Sequence, residues 1–572
     1  VQMQLHLAYP EQPVHDLVEM RPLHEDVTGD VKQPLQLMLA AVGCMLLIGC
    51  LNVSNLLVAR GAARQREVAI RSALGAQRGA LIREQMTESV LICVVGGTLG
   101  VGLSVLATQV LAHAWKDLPS VQSIHLDGEV IVFACGLMFV AALVAGLLPA
   151  LSSTNASMLS AMQSSTRTGG GSASKTALRK WMLTAEIAIT VVLLVAAGLL
   201  GKSFLKLRTT DIGCATKNVL TLRYSLPEKQ YDTPEKLNAF HESLLERVRA
   251  LPGVSGAALG NTVPAAGYWG DFVFTVKEHP PLHAGAPIQF ALMRWADPGY
   301  FTALQIPLVH GRFFTNQDRL DRAYKVIVSK QFVSKFFPGE DALGKHLHVA
   351  AHALKGKPDA VDYEIVGVVD DVVYQVGKEP RPMMYFPMLD GTVGGGTLAV
   401  HAQYDAQQLA LPVQKQIASL DAGLPVADVK TMEQVIGDSL GNQSLSASLV
   451  LSFAVLSLLL ASVGLYGVLS YLALQRTQEL GIRMALGAQR DQLLQQMLLD
   501  GMKPALFGLG LGLLASLGAT RMLQSMLFGT KPLDLVVLFG VMATLLVVAM
   551  CACLVPAWRA SRIEPMQALR ME

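Results

Sequence analysis

Seven apolar runs, each long enough to cross a bilayer, limit what this chain can fold into: Leu35–Ala59, Ser89–His113, Val130–Leu151, Trp181–Leu200, Leu449–Leu472, Met502–Leu523 and Leu535–Ala557. A bilayer core takes about 20 mostly apolar residues of helix to span. With no water there to bond peptide groups, such segments must be helices that satisfy their own backbone. Only 16% of residues are charged, against roughly 25% in an average soluble domain. Between the fourth and fifth runs, about 240 residues have ordinary soluble composition, room for one large or two small domains.

Basic residues orient the spans, because cytoplasmic loops carry an excess of lysine and arginine. Loop 60–88 holds Arg60, Arg64, Arg66, Arg71, Arg78 and Arg83, and loop 152–180 holds Arg167, Lys175, Arg179 and Lys180 with no acid. Loop 473–501 adds Arg476, Arg483 and Arg490, and the tail adds Arg559, Arg562 and Arg570. The alternate short loops offer only Lys116 and Lys531. The long middle segment and residues 1–34 are therefore predicted outside. A net charge of +2 with no basic stripe gives no sign of a nucleic-acid partner.

One polar segment occurs twice, 412 positions apart: Arg64–Arg78 returns as Arg476–Arg490, identical at ten of fifteen positions. Each copy lies between two apolar runs on the cytoplasmic side. Glu67 and Arg71, like Glu479 and Arg483, stand one helical turn apart with the acid first, the favourable order for a helix pair. Ile70 with Leu74, and Ile482 with Leu486, fall on one face. Gly75 and Gly487 suit the left-handed position that ends a helix. Each copy is predicted to be a short amphipathic helix, a glycine turn, and a second helix entering the next span. Boundary anchoring alone would not require Ala-Leu-Gly-Ala-Gln-Arg unchanged in both copies.

The repeat extends further. Glu25–Asp30 precedes the first span as Glu433–Asp438 precedes the fifth, and Pro149-Ala150 ends the third span as Pro556-Ala557 ends the seventh. The second half has a span before its outside domain, so the first half is expected to have lost one, leaving residues 1–34 as the end of a first outside domain. The expected domains are 35–151 (three spans), 152–180 (cytoplasmic linker), 181–201 (one span), 202–445 (outside) and 446–572 (three spans).

The outside segment reads as α/β. Val219–Tyr224 alternates as a strand, and Thr233-Pro234 supplies an N-cap and a first-turn proline for a helix to about Leu251. Pro252-Gly253 then turns the chain into a strand at Val254–Leu259. Ile365–Val369 and Leu398–His401 read as further strands, with a helix near Ala406–Leu420. Two subdomains are expected, the middle one inserted into a discontinuous one.

Few residues carry chemistry. Gly339–His346 approximates a nucleotide-binding loop, but His346 replaces the hydroxyl that would hold magnesium, and the segment lies outside, away from ATP. His241, His279, His283, His346, His348 and His352 lack metal-ligand spacing. Six of the seven cysteines fall in apolar runs, leaving Cys214 alone and no CxxC pair. Glu186 is an intramembrane acid, expected to form an interfacial ion pair with Arg179 or Lys180. Asn52 and Asn55 are expected to bond between helices. Gly96, Gly97 and Gly100, with Gly508, Gly510 and Gly512, read as close helix packing. These motifs call for no catalytic residue, metal or cofactor, and the chain does not read as an enzyme.

Taken together, the chain resembles permeases of the MacB/FtsX class of ABC exporters, and more narrowly their duplicated orphan-permease branch. The residues that carry the likeness are Glu67–Gln77 and Glu479–Gln489, Pro556–Ala560 with Pro565, Asp297–Phe301, Gly311-Arg312, Phe337–Gly339 with Gly344-Lys345, and Ile365–Asp370. The resemblance implies a multi-pass protein of the bacterial inner membrane. Its fold would be an α-helical bundle plus a large α/β extracytoplasmic domain of the periplasmic-core type, with a ferredoxin-like porter subdomain. It assigns ATPase coupling to Glu67, Ile70, Arg71, Leu74 and Gly75, and to Glu479, Ile482, Arg483, Leu486 and Gly487. The implied partners are a cytoplasmic ABC ATPase on a separate chain and membrane lipid, with a periplasmic adaptor or outer-membrane protein left open. The first-half tail departs from the pattern: Ser152 and Asn155 stand where the second half has Arg559 and Arg562, and Met158 where it has Pro565. The two halves are thus expected to engage the ATPase unequally. The implied function is mechanotransmission driving efflux of a hydrophobic, peptide-like or lipid substrate. The alternative is a signalling permease that activates an outside enzyme such as a cell-wall hydrolase.

Overall fold

The computed structural model describes residues 23–63, 77–114, 127–154, 171–267, 270–280, 289–320, 324–350, 360–388, 394–475, 489–524, 527–531 and 533–561. Two compact units result, Lys206–Asn442 and the membrane helices on either side of it.

Four long helices come first: α1 (Leu23–Ala63), α2 (Arg78–Ala114), α3 (Gly128–Thr154) and α4 (Gly171–Thr209). Helix α4 starts ten residues upstream of Trp181, so the cytoplasmic stretch before that span is itself partly helical.

The extracytoplasmic unit then interleaves strands and short helices. They are β1 (Val219–Ser225), α5 (Pro234–Arg249), β2 (Val254–Gly260), β3 (Asp271–Val276), β4 (Gln289–Ala296), β5 (Leu308–Gly311) and β6 (Lys325–Ser329). There follow α6 (Lys330–Phe336), β7 (His346–Ala350), β8 (Ala360–Val369), β9 (Met383–Pro387), β10 (Gly395–Ala402), α7 (Ala410–Leu420), β11 (Val426–Thr431) and α8 (Met432–Ser439).

Local signals account for these boundaries. Thr233 caps α5 by accepting from the Lys236 amide, and Pro234 occupies the first turn. One face of α5 then buries Leu237, Phe240, His241, Leu244, Leu245 and Val248, the spacing of an amphipathic helix. Gly253 adopts a φ of +84° in the turn into β2, a conformation open to glycine. A reciprocal capping box of Thr431 and Gln434 starts α8.

The sheet order resolves two subdomains. β11, β1, β10 and β2 lie side by side, every pair antiparallel. In the order of their own connections this is 4-1-3-2 with helices α5 and α7 as crossovers, the ferredoxin-like β-α-β-β-α-β arrangement. Everything between β2 and β10 is an insertion, as the sequence led us to expect. Within it β4, β3, β7, β8, β6 and β9 pair in succession, and β9 pairs back to β4 in parallel, so the six strands close into a barrel. Alternate side chains point inward, among them Phe274, Val276, Ala291, Met293, Val326, Val328, Leu347, Val349, Tyr363, Ile365, Met384 and Phe386, all buried in one apolar cluster. Closure removes the free edges that an open sheet would expose.

Helices α9 (Gly441–Gln475), α10 (Arg490–Leu523) and α11 (Leu535–Ser561) complete the membrane unit. All seven predicted spans are present as helices of sufficient length and apolarity. Helix α4 is the centre of its bundle: 67% of its most apolar window is buried, against no more than 33% for any other span. Leu183, Ile187, Val191, Val195 and Leu199 of α4 pack with α9, α10 and α11. Leu193, Ala196, Ala197 and Leu200 of the same helix pack with α1 and α9. Gly508 and Gly512 let α10 approach α4 so closely that a Cβ at either would sit 2.8 Å from a backbone oxygen, of Thr184 or Ala188. Gly97 likewise packs on Met138, whereas Gly96, Gly100 and Gly510 face open space, so only three of the six expected packing glycines serve that purpose.

Candidate coupling site

Helix α1 stops at Ala63 and α2 starts at Arg78; α9 stops at Gln475 and α10 starts at Arg490. The duplicated segments lie between these ends. Glu67, Ile70, Arg71, Leu74, Gly75, Glu479, Ile482, Arg483, Leu486 and Gly487 all fall outside the described residues. The second helix of each segment does run into the following span, as expected: α2 contains the span Ile82–Val110 and α10 the span Leu494–Leu523.

About three helical turns along the chain before each segment lies a polar node. Asn52 of α1 donates through Nδ2 to Glu186 Oε1 of α4 at 2.5 Å and to the Leu460 carbonyl of α9 at 3.2 Å. Glu186 is fully buried. The expected ion pair with Arg179 or Lys180 is therefore replaced by a hydrogen bond from an amide: about two helical turns separate residues 179 and 186, too far along the axis for side-chain contact. Asn52 bonds between helices as expected. Asn55 does not: it is buried and its amide has no hydrogen-bond partner among the described residues.

Repeat register explains how the node fits. Displaced by the 412 residues that relate the two halves, Asn52 corresponds to Gly464. The two positions meet, since a Cβ on Gly464 would lie 2.6 Å from Asn52 Oδ1 and 2.7 Å from Glu186 Oε2. The missing side chain in one repeat makes room for the amide of the other and for the carboxylate between them. The neighbouring pair, Ser54 and Tyr466, ties each first span to the third span of its own repeat. Ser54 Oγ donates to the Ala145 carbonyl at 2.8 Å, and Tyr466 OH accepts from Arg559 Nη1 at 3.2 Å.

At the other end of the bundle, Asp534 caps α11 by accepting from the amides of Val536 and Val537 and receives Lys202 of α4 at 2.5 Å. Lys202 and the helix amides hold the Asp534 carboxyl below its ordinary range. Ser203 Oγ accepts from the Phe528 amide at 2.8 Å. Helix α4 is thus held at both ends before it enters the extracytoplasmic unit.

Inside that unit, Asp297–Phe301 stitches the edge strand β2 to the barrel. Asp297 bonds Leu259 through its backbone and its Oδ1, and its Oδ2 meets Arg249, which also donates to the Ala257 carbonyl. Burial raises the Asp297 carboxyl to about 6 against the opposing pull of Arg249. Tyr300 OH joins Tyr374 OH at 3.0 Å. A cleft of about 830 Å³ runs along α5 beside Asp297 and Arg249.

Gly339–His346 follows helix α6 and leads into strand β7, the reverse of the strand–loop–helix order that cradles phosphate. Lys345 there faces Glu340. Of the six histidines singled out in the sequence, His346 pairs with Glu278, His348 with Asp362 and His279 with Glu340, His241 is buried on α5, and His283 and His352 lie outside the described residues.

Family models separate the chain along the same lines. The FtsX-like permease C-terminal domain matches twice, at residues 39–158 and 451–565, and the MacB-like periplasmic core domain matches residues 183–423. The chain belongs to the MacB/FtsX-type permeases of ABC transporters. Each FtsX-like match takes in a first span, a duplicated segment and the two following spans, and the periplasmic-core match takes in α4 from Leu183 on and the extracytoplasmic unit as far as the end of α7. This FtsX-type permease is accordingly a multi-pass protein of the cytoplasmic membrane with its large domain outside. It is 26% identical over 285 residues to the macrolide export ATP-binding/permease protein MacB of Marinobacter nauticus, an overlap of 47% of this chain and 42% of that protein. It is also 26% identical over 292 residues to the uncharacterized ABC transporter permease YvrN of Bacillus subtilis, an overlap of 48% of this chain and 69% of that one. The chain spans about half the length of the MacB relatives it matches. The crystal structure of the periplasmic region of MacB from Actinobacillus actinomycetemcomitans is matched at 14% identity and a TM-score of 0.28, over 40% of this chain and 98% of that one.

Sequence reasoning singled out Asn52, Glu186 and Asp297 but missed the partners that join them, Asn52 to Glu186 and Asp297 to Leu259. The signal for the first was there: one repeat has an amide where the other has glycine.

Proposed function

We propose that this chain is the permease of an ABC-type exporter that works by mechanotransmission. A separate cytoplasmic ATPase docks on Glu67, Ile70, Arg71, Leu74 and Gly75, and on Glu479, Ile482, Arg483, Leu486 and Gly487. ATP-driven closure pushes on the ends of α1 and α9, and the membrane helices relay that motion to the extracytoplasmic unit. The unit's movement then expels a hydrophobic, peptide-like or lipid substrate. The domains that serve this are 35–151 and 446–572 as the paired permease units, 152–180 as the cytoplasmic linker, 181–201 as the relaying span and 202–445 as the outside domain.

One observation carries the reading: the FtsX-like domain occurs twice, each copy wrapped around one copy of the same polar segment. Central placement of α4, which continues into the extracytoplasmic unit, supports a mechanical relay. The MacB relatives are named for macrolide export, which favours efflux of an amphiphile over signalling.

The test is charge reversal. A Glu479–Arg483 helix pair contributes only about 0.2–0.5 kcal/mol, too little for its loss to unfold a bundle of spans. Arg483→Glu should therefore leave membrane insertion intact while reducing ATPase recovery on co-purification and ATPase stimulation in liposomes. Arg71→Glu should be milder, because the first-half tail has Ser152 and Asn155 where the second has Arg559 and Arg562. Wild-type recovery and stimulation in both variants would leave the segments as membrane anchors only.

A further inference from the structure

The polar node joins three helices with different destinations. Helices α1 and α9 are the equivalent first spans of the two FtsX-like repeats, and each runs on toward a duplicated segment. Helix α4 runs into the extracytoplasmic unit. Asn52 and Gly464 stand at the same distance before Arg64 and Arg476, about three helical turns. A carboxylate at that depth is expensive and is retained where it serves a purpose. Simple packing would need no acid: Gly508 and Gly512 bring α10 against Ile187 and Val191 of α4 with no charged group in the contact. At the node, by contrast, one Asn52 amide group spans from the Glu186 carboxylate to the Leu460 carbonyl, so α1 touches α4 and α9 through the same nitrogen. Gly464, having no side chain, leaves room on α9 for both the amide and the carboxylate.

We propose that Glu186 is a positioning residue for coupling: through Asn52 it clamps the first spans of both repeats to α4. Displacement of either duplicated segment then reaches the extracytoplasmic unit by one helix. This rests on the reading that those segments dock an ATPase, and the experiment separates the two ideas. The full chain, with its seven cysteines replaced by alanine, carries spin labels at Leu56 of α1 and Val463 of α9, both exposed on the helix surface. It is placed in phosphatidylethanolamine–phosphatidylglycerol liposomes, and the distance between labels is measured by pulsed electron spin resonance. Unlabelled chain is assayed in parallel for ATPase recovery and stimulation.

Glu186→Ala should broaden the distance distribution and reduce stimulation by about tenfold, within the range that coupling between sites commonly spans, with ATPase recovery unchanged. Glu186→Gln keeps an oxygen that accepts from Asn52 and should preserve both readouts. If Glu186→Ala fails to insert, the exchange carries the test. Asn52→Gly alone should broaden the distribution, and Asn52→Gly with Gly464→Asn should narrow it again by returning an amide to the same space. An unchanged distribution in Glu186→Ala overturns the clamp, as does a Gln variant as impaired as Ala or an exchange that restores nothing. Should wild-type chain recover no ATPase, the docking reading falls, and the label distances still decide the clamp.

Discussion

His241 makes the extracytoplasmic unit sensitive to acid in a way that can be measured. It lies on the buried face of α5 with 1% of its surface exposed, its ring edge-on to Tyr224 and Phe240 at 5.9 and 6.1 Å. Neither ring nitrogen has a hydrogen-bond partner among the described residues. Burial pushes its pKa from 6.5 down to about 4, since nothing inside compensates an imidazolium. Between those values the unfolded chain takes up a proton that the folded one refuses, so stability present above pH 6.5 is lost as the pH falls toward 4. From about pH 7.5 to about pH 5 the loss amounts to about 2 kcal/mol. Asp297 works in the opposite sense: burial raises its carboxyl to about 6, so its contribution is greatest at low pH and is lost as pH rises through 6. The two partly cancel in the wild-type profile. The difference between wild type and His241→Leu isolates the histidine, because leucine has the apolar bulk and no proton to bind. Residues 206–442 expressed alone, unfolded in urea and followed by circular dichroism, should show wild type losing about 2 kcal/mol relative to the leucine variant over that range. A difference that stays constant within about 0.5 kcal/mol would refute the argument.

Other expectations follow from particular contacts. Residues 206–442 should fold without the membrane helices, since one buried apolar cluster runs through both subdomains; no cooperative unfolding transition across several boundary choices would count against it. Against the effect of burial, Arg312 and Thr315 hold the Asp318 carboxyl down to about 2, so Asp318→Asn should cost about 1–2 kcal/mol near neutral pH and progressively less as pH falls from about 4 to about 2, read by urea melts. Gly512→Val should destabilise the chain in detergent by about 1–3 kcal/mol by pressing on the Ala188 carbonyl, while Gly510→Ala, facing open space, should not. Purified chain should hydrolyse no ATP of its own, and a turnover abolished by Lys345→Ala would reverse the reading of Gly339–His346.

Much of this architecture is legible along the chain. Apolar runs mark the seven spans because a bilayer dictates length and composition locally, and arginine counts orient them because the bias acts loop by loop. Thr233-Pro234 and Pro252-Gly253 mark the ends of α5 because caps and turns depend on neighbouring residues. The two copies of the polar segment, to which the coupling role is proposed, stand out because identity itself is a sequence property. What depends on distant partners was hidden. Nothing near Gln289–Ala296 or Met383–Pro387 says that these strands pair in parallel and close a barrel; that pairing joins residues almost a hundred positions apart. Glu186 looked interfacial because Arg179 and Lys180 are its neighbours in sequence, yet its partner is 134 residues away on another helix. Hydrogen bonds inside a bilayer select whichever donor the packing brings within reach, and packing is set by the whole bundle rather than by any one segment.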